Sequence, residues 1–290
     1  MKNVIAIFVS ALCCLISVSA QEERNQIYNI MLGNVQYTHS NDKETSGEKV
    51  NKIVTGIATG KTSEQLRMYE SDVKTAIVNG LASARRYHYT DSPLSSADSL
   101  LEGNLLVEAL ITNITGNSET TTKKDKEGKT KVETCYSCMV ETVLAFKNLK
   151  NGLAEDKQSF RVTSPSFTKY TTQDDAVRKT MDDLSYRIKS WLNKKAPLQA
   201  SIIEGTTAKK DKQKEVYIDL GSREHGVVGI HFGVYVMKNV AGQEAMQQIG
   251  KLKVEAVEGE NLSRCKVQSG GKEIKSAIDS GLLLKVISLD

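Results

Sequence analysis

The sequence predicts an α+β fold: an N-terminal domain with two long helices on an antiparallel-rich sheet, then a small all-β, barrel-like domain. Three observations predict it. Residues 63–85 and 173–194 space their apolar positions by three and four, as one buried helix face does. Val132–Phe146 alternates apolar and polar residues, the period of a strand with one covered face. From Val216 onward, short runs of Val, Ile, Leu and Tyr are cut by Gly221, Gly226, Gly229, Gly259 and the pair Gly270–Gly271. Glycines so placed mark tight turns between the strands of a small barrel or sandwich.

Residues 1–20 read as a secretory signal. Lys2 supplies the positive end, Val4–Val18 the apolar stretch, and Val18-Ser19-Ala20 the small residues before a cleavage point. The mature chain is expected to begin at Gln21, and its charge to fall from +4 to +3 with the loss of Lys2. Cys13 and Cys14 do not follow a small residue, since Leu12 precedes them, so no lipid anchor is expected. So mild a charge does not point to nucleic acid.

Within residues 21–205 the elements follow in order. Ile27–Tyr37 is a strand and His39–Lys49 a polar loop. The helix over 63–85 carries Leu66, Tyr69, Val73, Ile77 and Leu81 on one face, with Thr62 and Gln65 in capping-box form before it. Leu105–Ile114 is a strand, and 116–130 (GNSETTTKKDKEGKT) is too polar to bury and reads as an exposed loop. With Val132–Phe146 it closes a long hairpin over 104–147. Glu155–Val162 is a further strand. In the second helix Val177, Met181, Leu184, Ile188 and Trp191 form the stripe, Pro197 ends it, and Leu198–Ile203 is a strand. The charged stretch 206–214 (TTAKKDKQK) reads as a linker to the barrel-like domain at 215–290.

Candidate chemistry is sparse. Gly56-Ile-Ala-Thr-Gly60-Lys61-Thr62 has three residues between its glycines where a phosphate loop has four, so it reads as a helix start. Cys135 and Cys138 have redox spacing but lie in the alternating strand. Residues three apart there face opposite sides at about 10 Å, too far for a disulfide. Cys138 then belongs to the core and Cys135 to the other face. Cys265 is the third mature cysteine. His39, His88, His225 and His231 are scattered, and Glu224-His225 reads as a solvated turn. No catalytic, cofactor-binding or metal residue is assigned, and no cofactor is expected.

Val216-Tyr217-Ile218, Gly221-Ser222, Gly226-Val227-Val228-Gly229, Phe232 and Val234-Tyr235 resemble the C-terminal domain of the flagellar assembly protein T family. The second turn is one residue shorter than that family's. Ile249–Val254 and Val267–Gly271 continue the likeness. In element order, the preceding region is similar to the domain shared by curli-secretion and penicillin-binding-protein-activator lipoproteins. These resemblances imply action by assembly and contact, with the glycines as structural positions.

The function expected is that of an exported, non-enzymatic cell-envelope protein, periplasmic or secreted, acting by protein contact in assembly or scaffolding. Its expected partners are envelope proteins or further copies of itself, with no nucleic acid or nucleotide, and membrane association is not favoured. One alternative is a component of an oligomeric outer-membrane secretion pore, since long alternation also marks a membrane hairpin. Another is a thiol redox protein using Cys135 and Cys138.

Overall fold

The computed structural model describes residues 24–38, 58–92, 103–124, 129–165, 169–240 and 242–289. The signal segment, His39 and Gly56 lie outside them. The chain divides into two units: Tyr28–Trp191, and the residues up to Ile27 together with Leu192–Asp290.

The first unit contains β1 (Tyr28–Tyr37), β2 (Ala58–Gln65), α1 (Glu70–Ala82), β3 (Tyr87–Tyr89), β4 (Leu105–Lys124), β5 (Thr130–Asn148), β6 (Ala154–Thr163) and α2 (Gln173–Lys195). The strand order is β3-β1-β4-β5-β6. β1 runs parallel to β3 and β4, and β4, β5 and β6 form an antiparallel meander. β1 pairs with β4 from Leu105 to Ile111, and β2 pairs with it from Thr115 to Thr122.

Alternation along β4 and β5 sends Val107, Ile111, Val140, Leu144 and Phe146 to one buried face. Ile111 and Ile114 are three apart yet both buried, because the ladder slips at Thr112. α1 contributes Val73, Ile77 and Leu81 to this core, and α2 contributes Leu184 and Ile188. Trp191 stacks on Phe146 at 4.6 Å and meets Phe160 edge-on. A Cβ on Gly80 would lie 2.8 Å from the Ile188 Cβ, so α1 and α2 touch through a residue without a side chain. The α2 stripe is as the sequence predicts.

Two expectations for this unit are corrected. Residues 63–65 belong to β2, so α1 starts at Glu70 and Thr62 and Gln65 form no capping box. The stretch expected as a loop is mostly ladder: β4 runs on to Lys124, and Lys124 pairs with Thr130. Backbone pairing extends a strand wherever a partner lies alongside, even when neither face is covered.

The second unit contains β7 (Gln199–Lys209), β8 (Lys212–Ile218), β9 (His231–Val240), β10 (Gln243–Val257), β11 (Ser263–Ser269), α3 (Gly271–Asp279) and β12 (Leu284–Ser288). The strands close into a barrel in the order β10-β11-β8-β7-β12-β9. Closure leaves the body of the barrel without an open edge. Phe232, Val234, Leu252, Val254 and Val286 fill it.

Residues 206–214 are not a linker. They are the facing ends of β7 and β8, turning at Lys210 (φ 58°) and Asp211. The barrel therefore begins at Gln199, and the strand expected over 198–203 belongs to it rather than to the first domain. The sequence does not predict α3, since Gly270–Gly271 reads as a strand turn. Its Ile274 and Ala277 join the barrel core. Gly270 has φ 74°, and a Cβ there would lie 1.9 Å from the Ile249 carbonyl oxygen. Only glycine admits this approach of helix start to strand.

The unit also takes in the N-terminal residues. Asn25 Nδ2 donates to the Gln199 carbonyl at 2.7 Å, and the Gln199 N–H donates back to Asn25 Oδ1 at 2.8 Å. Arg24 pairs with the Asp219 carboxylate at 3.1 Å and also donates to its carbonyl.

Candidate functional site

The cysteines fall where the strand pattern puts them. Cys135 lies opposite Glu119 and Cys138 opposite Gly116 on neighbouring β4, three positions apart and thus on opposite faces. Cys135, Cys138 and Cys265 are free thiols. The Cys138 N–H donates to Ser164 Oγ at 2.9 Å. Burial pushes the Cys138 thiol up to about 11. Burial, with a smaller contribution from Glu255, pushes Cys265 up to about 12. Neither forms appreciable thiolate at neutral pH, and the thiolate is the reactive form.

Gly60, Lys61 and Thr62 lie on β2, in antiparallel register with Thr120, Glu119 and Ser118. An extended strand does not gather its N–H groups into the nest a phosphate requires. His88 and His225 are exposed. His225 adopts the left-handed conformation after a short 3-10 turn, Ser222–Glu224. Its neighbour Glu224 is buried and accepts from Asn25 Nδ2 at 3.2 Å. Glu224 thus belongs to the polar cluster that fastens the N-terminal residues, which no sequence spacing discloses. Among the described residues no three His, Cys, Asp or Glu side chains are grouped to hold a metal.

Among the described residues each unit carries a sizeable groove. The first lies between α1 and α2, about 660 Å3 in volume, with Asp72, Asp174, Asp175 and Asp182 along it. Two of these acids are engaged: Tyr69 donates to Asp174, and Arg178 pairs with Asp175 at 2.8 Å. The bond to Asp174 is the main cause that lifts the Tyr69 phenol to about 12.

The second groove, about 1060 Å3, lies between α3 and the β9–β10 hairpin. Val236, Ile249, Ala277 and Leu282 give it apolar surface, and Lys238 and Gln247 polar surface. Ion pairs Lys272–Asp211 at 2.8 Å and Lys275–Asp279 at 2.9 Å lie among its lining residues. The hairpin beside it forms an arm. β12 stops pairing with β9 at Val236, and β11 stops pairing with β10 at Lys251. From Met237 to Gln248 the two strands pair, among the described residues, with each other alone. Their outer main-chain groups face away from the barrel's ladders. This groove and arm form the candidate site, and their chemistry is that of contact: strand edges, apolar surface and a few charges.

No protein-family profile matches the chain, and no curated protein matches it. Similar solved structures include a neuraminyllactose-binding hemagglutinin homolog from Helicobacter pylori, 13% identical, covering 59% of this chain and 88% of that one at a TM-score of 0.30. A hypothetical protein from Chlamydia trachomatis is 10% identical and covers 57% of this chain and 98% of its own, also at 0.30. Similarity at that level bears on neither fold nor function.

Proposed function

We propose that the chain is an exported, non-enzymatic cell-envelope protein that acts by protein contact in assembly or scaffolding. The observation that carries this reading is the β9–β10 arm. A strand edge with unpaired main-chain groups accepts a further strand, and pockets beside it supply selectivity. The groove over α3 is such a pocket. The signal-like residues 1–20 and the resemblance of Val216–Tyr235 to flagellar assembly protein T support the same reading.

The pore alternative requires a hairpin with an apolar lipid face of about nine to eleven residues per strand. The outer half of β4–β5 carries Ser118, Thr120 and Thr122 on one face and Asn117, Glu119 and Thr121 on the other. Neither face suits lipid. The redox alternative requires two thiols on one face, and Cys135 and Cys138 are on two.

Val236 and Gln247 face each other in register, so replacing residues 237–246 by Asn-Gly closes the hairpin at the barrel rim with a two-residue turn. The expected result is an unchanged melting temperature and the loss of proteins captured from envelope extracts. Capture of the same proteins by the shortened chain would remove the arm from the function.

A further inference from the structure

The outer face of the barrel across β12, β9 and β10 has a composition its interior does not require. Successive residues of a strand point to opposite sides, so Val234, Val236 and Val286 point inward while Tyr235, Met237 and Lys285 point outward. Met246 lies directly opposite Met237. Leu284 pairs with Val236, which places Leu283, one residue earlier, beside Met237 on the same outer face. Met246, Met237 and Leu283 thus form an apolar ridge across β10, β9 and the residue that leads into β12. They are 50%, 46% and 77% exposed, and Leu282 at 51% extends the ridge. Gly281, in the left-handed conformation at φ 67°, makes the turn that precedes the two leucines.

One step along β9 stands Tyr235, with its ring over Gly233. A Cβ on Gly233 would lie 2.7 Å from Tyr235 Cε2. The ring is therefore held flat against the barrel. Lysines flank it in register: Lys285 opposite Tyr235, Lys251 opposite Gly233, and Lys253 opposite His231. All three are exposed, and among the described residues none has an ion-pair partner. The nearest acid along β10, Glu255, is engaged by Arg264 at 3.7 Å and Lys266 at 3.5 Å. Glu244, at the far end of the arm, is the acid beyond the ridge.

We infer that this face docks on an anionic lipid surface. This goes beyond the contact function proposed above, and two of the ridge residues, Met237 and Leu282, also line the groove beside the arm. Exposed apolar side chains enter the acyl boundary, an amphipathic tyrosine sits at headgroup depth, and lysines meet the anionic headgroups. The most exposed residue of the ridge, Leu283, follows the turn made at Gly281. The unpaired lysines favour an anionic surface over a neutral one.

The test is co-sedimentation of the protein, as purified from expressing cells, with vesicles of phosphatidylcholine containing about a third phosphatidylglycerol, beside pure phosphatidylcholine. Three variants share its N-terminus: the triple change Lys251→Gln, Lys253→Gln, Lys285→Gln; the double change Met237→Ser, Leu283→Ser; and a control, Lys157→Gln with Lys169→Gln, in the other unit. Binding to the anionic vesicles that weakens with salt is expected. At roughly fivefold per lysine, the triple variant should bind on the order of a hundredfold more weakly, the Met237/Leu283 variant should also lose binding, and the control should match the parent. Equal binding to both vesicle types, no binding, or equal loss in the control would overturn the inference. So would a lipid-free change of mass by light scattering in the Met237/Leu283 variant, which would make the ridge an interface between copies of the chain.

Discussion

Cys138 and Cys265 sit among side chains that exclude water, and both thiols stay protonated to about 11 and about 12. In the unfolded chain a thiol titrates near 9, so above that pH the unfolded state loses its protons first. The native state then binds more protons than the unfolded state, and stability falls as pH rises. The contribution is fully present below pH 9 and is lost progressively up to about 11 for Cys138. Each thiol adds at most about 1.4 kcal/mol per pH unit to that slope. Urea denaturation at pH 8, 9 and 10 is expected to show the decline, and Cys138→Ala to make it shallower while lowering stability at pH 8. An unchanged slope in the variant would mean that Cys138 titrates alike in the folded and the unfolded chain. Cys135, on the open side of β5, is the thiol a reagent reaches in the native protein.

Two glycines set how the helices seat, and they allow opposite kinds of contact. Gly80 lets α1 approach α2, and Gly80→Ala forces a Cβ to 2.8 Å from Ile188, an overpacking cost of about 1–3 kcal/mol. Gly270→Ala adds backbone strain to a collision with the Ile249 carbonyl, so the larger loss is expected there, with α3 released from the barrel. Thermal melts rank the two, and amide exchange at Ile274 and Ala277 reports whether α3 has come away. The reverse ranking would place the tighter packing in the first unit. The same elements show what the sequence makes legible. α2 is readable because one face is buried along its length, which fixes a period of three and four. β5 is readable from Cys138 to Phe146 for the same reason. β2, the outer half of β4 and the ends of β7 and β8 have water or only backbone partners around them, so no period is imposed and they read as helix start, loop and linker. α3 is a short helix behind two glycines, and its Ile274, Ala277 and Ile278 give too short a stripe to stand out. The candidate groove lies between α3 and the arm, so it was legible in neither half.

The barrel unit is fastened through Arg24 and Asn25 and closed by β12. Cleavage after Ala20 would leave Gln21 as the first residue, close before Arg24 and Asn25, and N-terminal sequencing of exported protein is expected to read Gln21 first. A start at Cys13 or Cys14 with an attached lipid mass would show an anchored protein instead. Asn25→Ala strands both main-chain groups of Gln199 and is expected to cost about 1–3 kcal/mol, measured by denaturant titration. No loss would mean that water replaces the side chain. The barrel that Arg24 and Asn25 clasp has a consequence in time. β12 is the last strand among the described residues and sits between β7 and β9. A polypeptide threaded across a membrane from its N-terminus delivers Asn25 early, Gln199 much later and Leu284 later still. Until then β7 and β9 present open edges of the kind that recruit other chains. A chain that stops before residue 284 leaves the seam between β7 and β9 open, and it is β12 that closes it.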